Sequence, residues 1–206
     1  MICHAKESAE EWRDVHRTWH KMDGRSTCTM LIGHVEQARH RVDHLRRLRE
    51  LQDETGGFTA FVTLALHPEN PKLPDLPGPS GYDLLKTLAI ARIYLDNIDH
   101  IKAYWVLMGM KLAQVSLSYG VDDLDGTVIE EKIYHMAGAK TPQEMARGEL
   151  VKAIHEAGRE PVQRDSLYRP VNGSLGTQPV DALGGLESAR PAEVAYAGAS
   201  NEGGAA

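Results

Sequence analysis

Four short stretches of this 206-residue chain hold the side chains with the most chemistry to offer. They are His34 and Glu36; His67, Glu69 and Asn70; Gly109 and Lys111; and Asp122, Asp123, Asp125 and Thr127. Histidines pass protons near neutral pH. Carboxylates accept hydrogen bonds from hydroxyls and cations, and Asn70 offers both a donor and an acceptor. Lys111 supplies a cation, and Trp105, just upstream in an apolar run, supplies an aromatic face. Each residue also has a plainer reading, because polar side chains belong in loops and at helix ends. Asp125 and Thr127 read equally well as helix caps, and Trp105 as core.

These stretches matter together only if the elements before them share one sheet. Ser8-Ala-Glu-Glu11 is a capping box that opens a helix running to about Met22, where Asp23-Gly24 stops it. A strand from Arg25 to about Ile32 ends at Gly33-His34-Val35-Glu36. A helix from about Arg39 to Glu54 follows, with Val42, Leu45, Leu48 and Leu51 as its inner stripe. Phe58 to Leu66 is apolar and rich in β-formers, and a proline-rich loop spans 68–79. Ser80 starts a helix to about Leu95. Ile101 to Met108 reads as a strand covered on both faces. A helix over 111–119, a short strand centred on Leu124 and a helix opened by Thr127-Val-Ile-Glu130 come next. Thr141-Pro-Gln-Glu144 opens a last helix to about His155, and 161–171 is extended.

The order is one helix followed by four βα units. Such alternation implies an α/β fold with parallel strands, a partial (βα) barrel of four units. Residues 1–171 form this unit, and 172–206, rich in Gly, Ala, Ser and Pro, reads as a disordered tail. In such folds ligands meet the carboxyl ends of the strands, where the four polar stretches lie.

The formal net charge of −6 gives no general pull toward nucleic acid or membranes. No run approaches the length of a membrane span, and the first residues lack the apolar core of a signal peptide. Two cysteines, Cys3 and Cys28, fit a reducing cytoplasm, with Cys28 a core thiol. The pairs His16/His20 and His40/His44 have helical metal-ligand spacing but no third ligand, so they read as surface histidines. The arginines at 39, 41, 46, 47 and 49 are interrupted by acids and read as a solvated face, leaving a phosphate- or metal-binding module with little support.

Several longer words then bring a family to mind. Thr29-Met-Leu-Ile-Gly-His-Val-Glu36, Leu66-His-Pro-Glu-Asn70, His100-Ile-Lys-Ala-Tyr-Trp105, Lys111-Leu-Ala-Gln114 and Asp122-Asp-Leu-Asp-Gly-Thr127 occur in that order. Over about residues 2–170 the chain resembles the second half of the aminofutalosine synthases, radical S-adenosylmethionine enzymes of menaquinone biosynthesis. The resemblance implies a (βα) barrel. It also implies a [4Fe–4S] cluster that cleaves S-adenosylmethionine to a 5′-deoxyadenosyl radical. That radical adds to the small-molecule substrate 3-[(1-carboxyvinyl)oxy]benzoate and gives aminodeoxyfutalosine. Trp105 and Lys111 would suit the benzoate.

The family holds its cluster on a Cys-x3-Cys-x2-Cys loop, which is absent from this sequence. The chain is therefore expected to be a C-terminal half: a truncated gene, a split enzyme or an incomplete gene model. It would pair with an N-terminal half, self-associate, or persist as a non-catalytic remnant or binding subunit. Raw sheet edges and a bare inner face predict that it is not a stable monomer alone.

Overall fold

A computed structural model describes residues 6–67, 76, 78–128, 132, 142 and 144–174. Helix α1, Ala9–Lys21, starts as the sequence demands. The Ser8 hydroxyl accepts the Glu11 N–H at 3.2 Å, and Glu11 accepts the Ser8 N–H at 2.7 Å. The chain then turns through Asp23, with φ +63°, and Gly24, where any Cβ would strike the Trp19 ring.

Strand β1, Ser26–Ile32, pairs in parallel with β2, Phe58–Ala65, and β2 with β3, His100–Lys102. The fold is thus mixed α/β around a three-stranded parallel sheet in sequential order. Alternation along β1 decides its faces: Cys28, Met30 and Ile32 are buried, and Thr27, Thr29 and Leu31 are exposed. The buried face meets α2, Ala38–Thr55, through Leu45, Leu48 and Leu51. Val42, placed by periodicity in the same stripe, is instead 50% exposed. Helix α3, Gly81–Tyr94, is capped by Ser80, whose hydroxyl accepts the Asp83 N–H.

The expected strand from Ile101 to Met108 ends early. Beyond Lys102 the chain makes one helical turn, α4, Trp105–Met108, closed by Gly109 N–H to Trp105 O at 2.8 Å. In a strand, the neighbours Trp105 and Val106 would face opposite sides. The turn buries both completely in one core. Gly109, at φ +78°, then redirects the chain into α5, Met110–Ser116, and a 3-10 turn, Leu117–Tyr119.

The expected fourth strand at Leu124 shrinks to a single parallel bridge between Lys102 and Asp123. Positive φ at Asp125 and Gly126 ends the extended run at once. Most of the helix expected from Thr127 to Glu130 and beyond lies outside the described residues, as does Thr141. Residues 144–146 are not helical, so the last described helix, α6, starts only at Arg147 and ends at Glu156. Residues 161–171, expected to be one extended run, turn at 166–168, where Tyr168 has φ +62°, and build an antiparallel hairpin of β4, Val162–Arg164, and β5, Pro170–Ser174. Strand β5 thus passes the boundary set at residue 172, and the remainder of the expected tail lies outside the described residues.

Of the two histidine pairs only His40 is a surface group; His16 and His44 are half-buried and His20 is buried. His20 is 5% exposed. Thr55 donates its hydroxyl to Leu51 O, so it accepts His20 Nδ1–H at 2.7 Å. The Ser26 hydroxyl then donates to His20 Nε2 at 2.8 Å and accepts from His16 Nδ1 at 2.9 Å. Burial lowers the pKa of both rings. The α2 arginines are largely neutralised: Arg46 and Arg47 bind Asp43, Arg49 binds Asp96, and Arg41 binds Glu36.

Candidate functional site: an ion-paired group on the inner face of the sheet

Pairing register puts Thr29, Val62 and Lys102 in one row across the sheet, on the face opposite the helices, and the bridge adds Asp123 to that row. Lys102 Nζ donates to Asp125 Oδ1 at 2.7 Å and lies 3.9 Å from Asp123 Oδ2. Asp123 also accepts Arg164 Nη2 and the Tyr168 hydroxyl, each at 2.5 Å, on one oxygen. Its other oxygen accepts the Asp125 N–H at 2.8 Å, which fixes the turn. The Tyr168 ring stacks on His100 at 3.8 Å, and the Arg164 guanidinium lies 4.1 Å from the same ring. Burial and donation to Asp123 push the Tyr168 pKa up, so the phenol keeps its proton. One carboxylate further back, Asp122 binds Arg92 at 2.5 Å, His100 Nδ1 at 2.6 Å and the Ile101 N–H at 2.8 Å.

Each of the three aspartates therefore sits on a cation: Arg92 on Asp122, Arg164 on Asp123, Lys102 on Asp125. Asp123 and Lys102 are largely buried, so the pairing is a condition of folding. Lys102 has three donors, and only the one to Asp125 is within 3 Å of a carboxylate. It is the side chain of this group best equipped to meet an anionic ligand.

A second group closes the end of β1. Glu36 accepts the N–H groups of Gly33 and His34, each at 2.8 Å, and Arg41 at 2.5 Å. Burial alone would raise its pKa. The two amides and the arginine overcome that, and the net shift is downward. The His34 Nε2–H donates to Leu31 O at 3.1 Å, and its Nδ1 lies 3.3 Å from Glu36. Glu36 is thus spent on shaping the turn after β1. His67 follows β2 beside it, where the Leu66 N–H donates to Ile32 O at 2.8 Å.

The structure brings His34 and Glu36 together, and Asp122, Asp123 and Asp125 together, with Thr127 exposed beside them. Trp105 is fully buried, its indole N–H on Gly126 O at 2.8 Å, so it holds the aspartate turn from below. Lys111 is exposed on α5 and does not line the cleft beside Asp122–Thr127. Glu69 and Asn70 lie outside the described residues. The sequence reading passed over Arg92, His100, Lys102, Arg164 and Tyr168. A lone lysine in an apolar strand was a usable signal for Lys102. Nothing local marks Arg164 or Tyr168, whose partner Asp123 is 41 and 45 residues away.

Residues 55–175 match the CofH/MqnC C-terminal region. The chain belongs to this family. It is 52% identical over 174 residues to the aminodeoxyfutalosine synthase of Thermus thermophilus, an alignment covering 82% of this chain and 47% of that protein. It is 40% identical over 181 residues to the aminodeoxyfutalosine synthase of Streptomyces coelicolor, with the same coverage. It is also 42% identical over 175 residues to the 5-amino-6-(D-ribitylamino)uracil–L-tyrosine 4-hydroxyphenyl transferase of Methanopyrus kandleri. The chain spans about half the length of the curated relatives it matches. Within the described residues, no helix is long and apolar enough to cross a membrane.

Proposed function

We propose that this chain is the C-terminal half of an aminodeoxyfutalosine synthase and forms one wall of a (βα) barrel, with the start of the tail moved from residue 172 to beyond Ser174. The 52% identity to the Thermus protein carries the reading. The reaction would join the 5′-deoxyadenosyl group of S-adenosylmethionine to 3-[(1-carboxyvinyl)oxy]benzoate, in the cytoplasm. Both reactants carry carboxylates, and the inner-face row offers Lys102 to one of them.

The residues present do not fit a [4Fe–4S] cluster. The chain has two cysteines, and Cys28 is fully buried, its thiol bonded to Ala60 O and its pKa pushed up by burial. Thiolate is what such clusters need. Among the described residues no three His, Cys, Asp or Glu side chains are placed to share a metal. Radical generation is therefore assigned to an N-terminal half, and substrate contact to this one. His34, His67 and Lys102 line the strand ends and inner face on which the substrate would rest. Glu69, Asn70, Lys111, Asp125 and Thr127 remain candidates for contact with it, and Trp105, fully buried, acts through the turn it holds.

Co-expression with the N-terminal half of the Thermus relative, followed by anaerobic assay, tests this. Aminodeoxyfutalosine should form only with both halves, and Lys102→Ala should cut kcat/KM by about tenfold or more, as loss of a charged contact does. An assembled, cluster-loaded pair that forms no product would support a binding subunit or remnant instead.

A further inference from the structure

Lys102 stands beside two carboxylates and binds only one of them. Its Nζ donates to Asp125 at 2.7 Å and stays 3.9 Å from Asp123 Oδ2, beyond hydrogen-bond reach. Lys102 and Asp123 are both largely buried, where opposite charges attract strongly, so Asp123 should draw the ammonium in. It does not, because its nearer oxygen is already full. A carboxylate oxygen offers about two lone-pair sites. On Oδ2, Arg164 Nη2 and the Tyr168 hydroxyl fill both, each at 2.5 Å, while Oδ1 accepts the Asp125 N–H at 2.8 Å.

Both of those donors come from the hairpin of β4 and β5, which follows α6. Its turn is built to reach inward. Asp165 accepts the N–H groups of Leu167 and Arg169, each at 2.9 Å, and Tyr168 takes φ +62°, a left-handed backbone that tyrosine rarely adopts. Such a conformation persists where the surroundings fix it. Here the phenol ring lies flat on His100, 8° from parallel, with Arg164 against the same ring. His100 is the first residue of β3, so the hairpin meets the inner face at the amino end of the strands. His34 and His67 follow the carboxyl ends of β1 and β2. The hairpin thus stands away from the ligand rim and acts on Lys102 through Asp123. Charge points the same way. With Arg164 the row sets two cations, Lys102 and Arg164, against two carboxylates, Asp123 and Asp125. Without it the row would be net negative and would repel an incoming carboxylate.

Resting on the reading that a substrate carboxylate meets Lys102, we propose that Arg164 and Tyr168 are positioning residues for that contact. By filling the acceptor sites of Asp123 they keep Lys102 from being clamped between two carboxylates, and they leave its remaining N–H groups to the anion.

Trace acetylation of the full chain with acetic anhydride, read by mass spectrometry, tests this without any substrate. The rate at Lys102 is taken relative to that at exposed Lys111. Only the unprotonated amine reacts, so a second carboxylate partner slows the reaction. Arg164→Met and Tyr168→Phe should each slow labelling of Lys102 by about threefold or more, and Arg164→Lys should keep the parental rate. A hairpin with a purely structural role gives the opposite sign, because loosening it would bare Lys102 and speed labelling. Tyr168→Phe keeps the ring on His100 and the arginine on Asp123, so its result decides even where Arg164→Met releases the hairpin. Labelling of Lys102 in Tyr168→Phe at or above the parental rate overturns the proposal. In the enzyme assembled with the N-terminal half of the Thermus relative, both variants should raise KM for 3-[(1-carboxyvinyl)oxy]benzoate about threefold or more and lower kcat less. A fall in kcat at unchanged KM also overturns it. Slowed labelling beside a parental pair that forms no product would overturn the substrate reading and leave the freeing of Lys102 standing.

Discussion

A histidine on a helix facing a strand is easily mistaken for a solvent group. His16, His20 and His44 show why it is not one here: each ring is desolvated, and for each the pKa moves down, first because of burial. For His20 the neighbouring His16 and Arg25 add to the shift, and for His44 the bond to Thr29 only partly opposes it. The sign follows directly. The unfolded chain takes up these protons near its ordinary pKa of about 6.5, and the folded chain resists them. Stability should therefore be full above about pH 6.5 and fall as the pH drops below it. Urea unfolding midpoints measured from pH 8 to 5 should decline over that range, and His44→Gln should shallow the decline. A midpoint flat across the range would show that these rings titrate freely.

At the scale of elements, the hairpin depends on one residue. Asp123 is the meeting point of Arg164, Tyr168 and the Asp125 amide. Removing it leaves a half-buried guanidinium and phenol without this acceptor. Asp123→Ala should cost about 2–4 kcal/mol, somewhat less than the roughly 3–5 for a fully buried pair because Arg164 is partly exposed. It should also raise hydrogen exchange across 162–174 well before the parallel sheet opens. A hairpin protected as in the parent would show that the stack on His100 holds it alone.

The same elements show what the sequence disclosed. Ser8, Ser80, Gly56 and the apolar β2 carry local signals, caps, stops and propensity, and their elements formed within a residue or two of the expected bounds. Trp105 did not follow its propensity, because the core needed two adjacent side chains on one side. The inner-face group was half legible: the aspartate cluster stood out, whereas its cations come from other elements that only tertiary structure brings near.

For the whole molecule, the face carrying Thr27, Thr29 and Leu31 is exposed along β1, with Leu31 44% exposed, and closed along β2, where Ala60 and Val62 are buried. On the other face, Cys28, Met30 and Ile32 share one core with Leu45, Leu48 and Leu51 of α2. The chain by itself should associate weakly through the exposed side of β1, with sedimentation coefficients rising across the micromolar range. Addition of the N-terminal half should replace that with one discrete species. A monodisperse monomer with a sharp unfolding transition would mean that these elements close their own core, and the half-barrel reading of the molecule would fall.

The indole of Trp105 has an optical consequence. Its ring is sealed from solvent, and its N–H holds Gly126 at the start of a loop beside the open cleft. Trp12 and Trp19 complete the set of three tryptophans, and Trp19 is half exposed. With those two changed to phenylalanine, the remaining emission should lie at short wavelength and resist iodide quenching. When an N-terminal half joins this one, the indole's surroundings should tighten, and its anisotropy decay should report assembly without any added label.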